Sequence, residues 1–168
     1  VKMYCRNFGN HGDEQPMTLR DKLQTTLKEA MRAKQVDRLS TLRLINAAIK
    51  DREIAVRGTG EDIVVSDDDI LGILGKMVKQ RQESARAFEE GGRLELAAKE
   101  LAEIAVIGEF LPRQLDSAEV DAAISAAIAE AGASSIRDMG KVMAVLKAKY
   151  TGQMDFGAVG PRVKDLLG

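Results

Sequence analysis

Between Lys76 and Leu115 the chain carries a helical apolar pattern that is broken once, at Gly91-Gly92, and stopped at Pro112. Apolar residues three and four positions apart mark one face of a helix. A glycine readily takes the left-handed conformation that ends a helix, and a proline resists continuing one. The stretch therefore predicts two helices folded back on each other, and the rest of the chain must pack around that hairpin. Before the turn, Leu74, Met77, Val78, Ala85 and Phe88 form one stripe, with Arg81 on it and Lys76, Lys79, Gln80 and Glu83 off it. A cation on an apolar stripe is expected to be partly covered and paired; Glu103 on the next helix is one candidate partner. After the turn, Leu94, Ala97, Leu101, Ile104, Ala105, Gly108 and Leu111 are expected on one buried face.

The flanking sequence is helical too. Aromatics make up 4% of the chain, Trp is absent and only three prolines occur, so the core must be aliphatic. Thr18 and Asp21 have the spacing of a capping box, followed by Leu19, Leu23, Leu27, Ala30 and Met31 on one face. A break near Gln35-Val36-Asp37 leads to a second helix with Leu42, Ile45, Ile49 and Val56 as its stripe, Arg52 snorkelling at the stripe's end, and a stop at Gly58-Thr59-Gly60. The acidic loop that follows, to Val65, reads as a mobile connection. Ser66 is the next N-cap. Asp67, Asp68 and Asp69 complement the positive end of the helix dipole, and Val65 and Ile70 are spaced as a hydrophobic staple. Consecutive helical carboxylates diverge, so these three suit capping better than metal binding.

Beyond Pro112 the pattern restarts. Asp116 and Glu119 form a second capping-box spacing, with Leu115 and Val120 as its staple. Helix five carries Val120, Ile124, Ala127, Ile128 and Ala131 and stops at Gly132. Ser135 and Asp138 open helix six, with Met139, Met143, Leu146 and Tyr150 on its stripe, and Gly152 ends it. Asp155 opens helix seven with Phe156, Val159, Val163, Leu166 and Leu167; Pro161 either kinks this helix or begins it. The expected fold is all-α, a four-helix N-terminal part followed by a small three-helix bundle. Residues 1–16 are read as a disordered extension, 17–112 as an N-terminal helical domain and 113–168 as the C-terminal bundle.

The residues offer little chemistry. Cys5 is the only cysteine and His11 the only histidine, and both fall in the extension. With Asp13 and Glu14 they lack the paired spacing of a metal site, and no base is left inside the fold for a nucleophilic pair. Arg57-Gly58-Thr59-Gly60-Glu61 lacks the strand and the Lys-Ser/Thr of a phosphate loop, and Glu89-Glu90 reads as an exposed helix end. No catalytic residue, metal or cofactor is expected. No apolar run approaches the ~20 residues of a membrane span, and a cytoplasmic protein is the default. Net charge is −1, but its distribution is uneven: residues 17–57 hold ten Lys/Arg against five Asp/Glu, residues 87–111 two against six, and residues 137–168 six against three.

Several separated segments resemble the GatB/YqeY family. In the central stretch they are Lys79-Gln80-Arg81, Glu83-Ser84, Phe88, Gly92-Arg93, Leu96-Ala97, Glu100, Glu103 and Phe110-Leu111-Pro112-Arg113-Gln114-Leu115, with Phe110 where the family usually has Tyr. Leu19-Arg20-Asp21-Lys22-Leu23, Lys28-Glu29-Ala30-Met31-Arg32 and Leu42-Arg43-Leu44-Ile45 agree before it. Met139-Gly140-Lys141-Val142-Met143, Asp155 and Val163-Lys164-Asp165-Leu166-Leu167 agree after it. The likeness runs from about Met17 to Gly168. It implies an all-helical protein whose C-terminal part is similar to the tail domain of the tRNA amidotransferase B subunit, where the tail helps hold tRNA. The kinase-like and amidase parts of that enzyme are absent, so the label of glutamine-dependent carbon–nitrogen ligase attaches by family name alone. The resemblance makes tRNA the expected partner, with Lys141, Lys147, Lys149, Arg162 and Lys164 as candidate phosphate contacts and Lys79 as a weaker one. An aminoacyl-tRNA synthetase or amidotransferase is the expected protein partner. A helical adaptor that docks on such an enzyme without touching nucleic acid is the competing reading.

Overall fold

Helix-forming stretches and their caps fall largely where the apolar spacing places them. The computed structural model describes residues 16–58 and 64–168. The expectations for Cys5, His11, Asp13 and Glu14, and for the loop through Thr59-Gly60-Glu61, lie outside the described residues. Seven α-helices follow in order: α1 Leu19–Arg32, α2 Val36–Arg57, α3 Asp67–Glu90, α4 Leu94–Gly108, α5 Ser117–Ala131, α6 Met139–Tyr150 and α7 Phe156–Leu167. A short 3-10 turn, Ile136–Asp138, precedes α6. No strand occurs among the described residues, and the fold is all-α.

The capping chemistry explains why the helices start there. Thr18–Asp21, Ser66–Asp69 and Asp116–Glu119 each form a reciprocal capping box, satisfying two backbone N–H groups that the helix leaves unpaired. Asp67 does something the sequence did not suggest: its carboxylate accepts the Leu19 N–H at 3.1 Å, so the first turn of α3 also fixes the start of α1. At the hairpin turn Gly92, with φ +71°, donates to the Glu89 carbonyl, and Arg93 donates to that of Phe88. These are the two bonds of a Schellman motif. The same motif ends α1, with Lys34 at φ +54° in the left-handed position.

Buried side chains form two clusters. The first gathers Leu23, Leu42, Ile45, Ile49, Ile70, Leu74, Met77, Ile107 and Phe110 from α1 to α4 and the residues just after α4. Removing a large aliphatic or aromatic side chain from water contributes about 1.5–3 kcal/mol, and α3 packs most extensively on α4. Arg81 donates from Nε to Glu103 at 2.8 Å, the partner suggested by its place on the stripe. The second cluster gathers Val120, Ile124, Ala127, Val142, Leu146, Val159 and Val163 from α5, α6 and α7.

Some expected positions are corrected. On α4 the buried residues are Ala97 and Ile107, with Phe110 just beyond its end, whereas Leu94, Leu101, Ala105 and Gly108 are exposed. The inward face is rotated because α4 contacts both α3 and α2, and these cover its Ala97–Ile107 side. Met31 and Leu166 end their helices half-exposed, whereas Arg52 is exposed, in keeping with a snorkelling residue at the end of its stripe. Ser135 makes no side-chain cap; the Asp138 carboxylate instead accepts the Ser134 N–H. α7 starts at Phe156 under an Asp155 cap, so Pro161 lies inside the helix and does not begin it.

The two sets of helices meet mainly through connecting segments. Leu115 N–H donates to the Gln153 carbonyl at 2.9 Å, and Gln114 Nε2 donates to the Gly152 carbonyl. Lys79 on α3 pairs with Asp155 at 3.2 Å. Gly152, at φ +77°, sits against Leu71 and Pro112.

Candidate nucleic-acid interface

Each of the five tail cations has a definite environment. Lys141 pairs with Asp138, three residues earlier at the start of α6, at 3.3 Å. Lys149 pairs with Glu130 at the end of α5, and the Glu130 carboxylate raises the Lys149 pKa above the ordinary lysine value. Arg162 donates to Asp121 at 3.0 Å and to the Ser117 hydroxyl at 3.3 Å. Lys147 and Lys164 are exposed and pair with no carboxylate among the described residues. At 3.6 residues per turn Lys147 stands about 200° round α6 from Lys149, so these two cannot address one phosphate from the same side. Lys79, the weaker candidate, is occupied by Asp155.

Lys147 belongs to a larger feature. A cleft of about 1300 Å³ runs between the α3–α4 hairpin and the turn joining α6 to α7. Arg52 of α2, Lys76 of α3 and Lys147 of α6 reach it from three different helices. None of the three forms an ion pair among the described residues. Two further cations on its wall are engaged: Lys79 by Asp155, and Arg113 by a bidentate hydrogen bond to Glu119 that raises the Arg113 pKa. Its apolar lining includes Leu71, Val78, Ile104, Leu111 and Phe156.

The carboxylates of the cleft have structural duties. Asp69 accepts the Ser66 N–H and hydroxyl, which hold it below the usual carboxylate range, with Arg52 adding a smaller effect. Asp155 accepts the Gly157 N–H at 2.9 Å as the cap of α7. A general acid or base works best with a pKa near the operating pH, and Asp69 is driven away from it. Among the described residues no group of three or more His, Cys, Asp or Glu side chains could hold a metal. No described helix is long and apolar enough to cross a membrane.

Sequence reading alone did not find Arg52 or Lys76. Lys76 was visible as an off-stripe residue of α3 and Arg52 as the end of the α2 stripe, but their meeting with Lys147 depends on how the C-terminal helices sit against α3. The site thus defines a helical protein with two apolar clusters and a cationic cleft between them. The chain belongs to the YqeY family: the Yqey-like protein profile matches residues 20–167. It is similar to the Altered inheritance of mitochondria protein 41, mitochondrial, of Saccharomyces cerevisiae, 31% identical over 99 residues, covering 59% of this chain and 51% of the yeast protein. The protein of the same name from Lachancea thermotolerans is 32% identical over 110 residues, covering 64% of this chain and 57% of that protein. The chain therefore spans little more than half the length of these curated relatives.

Proposed function

We propose that this protein is a non-catalytic tRNA-binding accessory protein, with a C-terminal unit of residues 113–168 supported by an N-terminal unit of residues 17–112. The observation that carries the reading is the set of unpaired cations: Lys147 and Lys164 on the tail, with Arg52 and Lys76 across the cleft from Lys147. Unpaired lysines and arginines can neutralise phosphates and release counterions without first breaking an internal ion pair. The resemblance of the tail to the amidotransferase B-subunit tail names tRNA as the nucleic acid, and recognition by shape and phosphate contact suits a surface of this kind. Binding of fluorescently labelled tRNA at two salt concentrations tests it. Affinity should fall steeply as salt rises; absence of binding at low salt rejects the reading. The compartment proposed is the cytoplasm, and the mitochondrial label belongs to the yeast relatives.

A second reading is favoured by one specific observation. Leu94, Ala98, Leu101, Ala105 and Gly108 are all exposed and recur at alternating spacings of four and three along α4. That is the seam geometry of a helix that packs on another helix. An adaptor docking on an aminoacyl-tRNA synthetase or amidotransferase would use this seam. Titration against the purified enzyme checks it: Leu101→Glu should abolish an association that Lys147→Ala leaves intact. Glutamine-dependent amide transfer by the purified protein alone would overturn the non-catalytic reading.

A further inference from the structure

The cleft is larger than the ~300–1,000 Å³ of ordinary small-molecule pockets, at about 1300 Å³. Its walls contain three helical glycines that the fold does not explain. Gly72 and Gly75 lie inside α3 and Gly108 ends α4, and all three line the cleft. A Cβ built on any of them would meet no atom within 4 Å beyond the adjoining residues and backbone of its own helix. Glycine within a helix costs stability relative to alanine, and no neighbouring residue needs the space that these positions leave open. Such positions let a ligand approach the backbone. The cleft is also lined by Arg52, Lys76 and Lys147, none of which forms an ion pair among the described residues, and by Leu71, Ile104 and the partly covered Phe156. Asp68 is the one cleft carboxylate with neither a cap nor an ion-pair role among the described residues.

A cleft lined by both cations and apolar or aromatic side chains matches the requirements of an unpaired nucleic-acid strand. Phosphates follow the charges, and bases stack or pack on the apolar lining. Duplex RNA offers its backbone and hides its base faces, so the apolar lining would go unused. We propose that the cleft seats a single-stranded end of RNA, the unpaired 3′ nucleotides of tRNA being the natural occupant; this rests on the tRNA reading above. An acidic peptide is the alternative occupant that the same charges would accept.

The experiment compares the full chain's affinity for intact tRNA, for tRNA with its unpaired 3′ nucleotides removed, and for poly-glutamate. Removal of those nucleotides should weaken binding about tenfold, as expected for loss of base packing. Gly75→Leu, whose Cβ has open space in the fold, should keep the thermal stability and erase the difference between intact and trimmed tRNA. Phe156→Ala and Lys76→Gln should each reduce the difference. Equal binding of intact and trimmed tRNA would overturn the cleft assignment and leave the tRNA reading standing. No RNA binding at low salt would overturn both. Poly-glutamate binding that Lys76→Gln abolishes, with trimming of tRNA having no effect, would reassign the cleft to an acidic protein partner.

Discussion

Gly152 stands against Leu71 so closely that a Cβ on the glycine would lie 3.3 Å from the leucine Cβ and 3.4 Å from Pro112 Cδ. With φ at +77°, Gly152 also occupies backbone territory that side chains disfavour. This contact brings the α6–α7 turn onto α3, and both residues line the cleft. Gly152→Ala is expected to cost about 1–3 kcal/mol from backbone strain. The crowding against Leu71 adds to that cost. Urea unfolding followed by circular dichroism measures the loss, and an unchanged midpoint would mean that the turn relaxes freely.

The rotated face of α4 separates two isoleucine and leucine positions that look alike in sequence. Ile107 is fully buried and Leu101 is 50% exposed. Ile107→Ala should destabilise by about 2–5 kcal/mol, while Leu101→Ala should stay within about 0.5 kcal/mol of the parent. Equilibrium denaturation of the two variants distinguishes this packing from the one expected by periodicity.

Arg81 and Glu103 tie the hairpin together with side chains only 14% and 18% exposed. Arg81 also donates to the Met77 carbonyl at 3.3 Å. Truncating one partner leaves the other charged and partly covered, so Arg81→Ala is expected to cost about 2 kcal/mol. Replacing both, with Met and Leu respectively, should recover part of the loss. A double-mutant cycle on unfolding free energies gives the coupling.

Acid should loosen the helix starts. Asp21 is lowered first by its hydrogen bond to the Thr18 side chain, Asp69 by the Ser66 N–H, and Glu119 by Arg113. Asp138 is lowered first by the Ser134 N–H. A carboxyl group whose folded-state pKa is depressed favours the folded state above its unfolded value, and that contribution disappears as pH falls through the folded value. Stability should therefore hold from neutral pH down to about pH 4 and decline below it. Unfolding midpoints across that range test this, and Asp69→Asn should flatten the decline.

The tail cations should divide into two groups in tRNA binding. Lys141, Lys149 and Arg162 are held by Asp138, Glu130 and Asp121, while Lys147 and Lys164 are not paired among the described residues. Lys147→Ala and Lys164→Ala should each lower the slope of log affinity against log salt by about 1. Lys149→Ala should change it less, because its charge is already neutralised by Glu130. Salt titrations of the three variants provide the comparison, and equal slopes would assign the ion pairs no influence.

By itself the sequence determined the local structure. Thr18, Ser66 and Asp116 marked helix starts because a side-chain oxygen near unpaired N–H groups is a contact between near neighbours. Gly92 marked the hairpin turn because φ above zero is a property of one residue. The Arg81–Glu103 pair was legible because both residues sit on predicted faces of one hairpin. On α4 periodicity placed Ala97 correctly but missed Ile107, because apolar residues surround much of the helix and several faces satisfy the spacing rule; packing by α2 and α3 chose between them. It was also silent on the cleft. Arg52, Lys76 and Lys147 come from separate helices. Packing of α2 on α3, with the docking of Gly152 on Leu71, the Leu115–Gln153 hydrogen bond and the Lys79–Asp155 pair, brings them to one opening. Charge at a distance in sequence becomes a site only when tertiary packing fixes the distance in space.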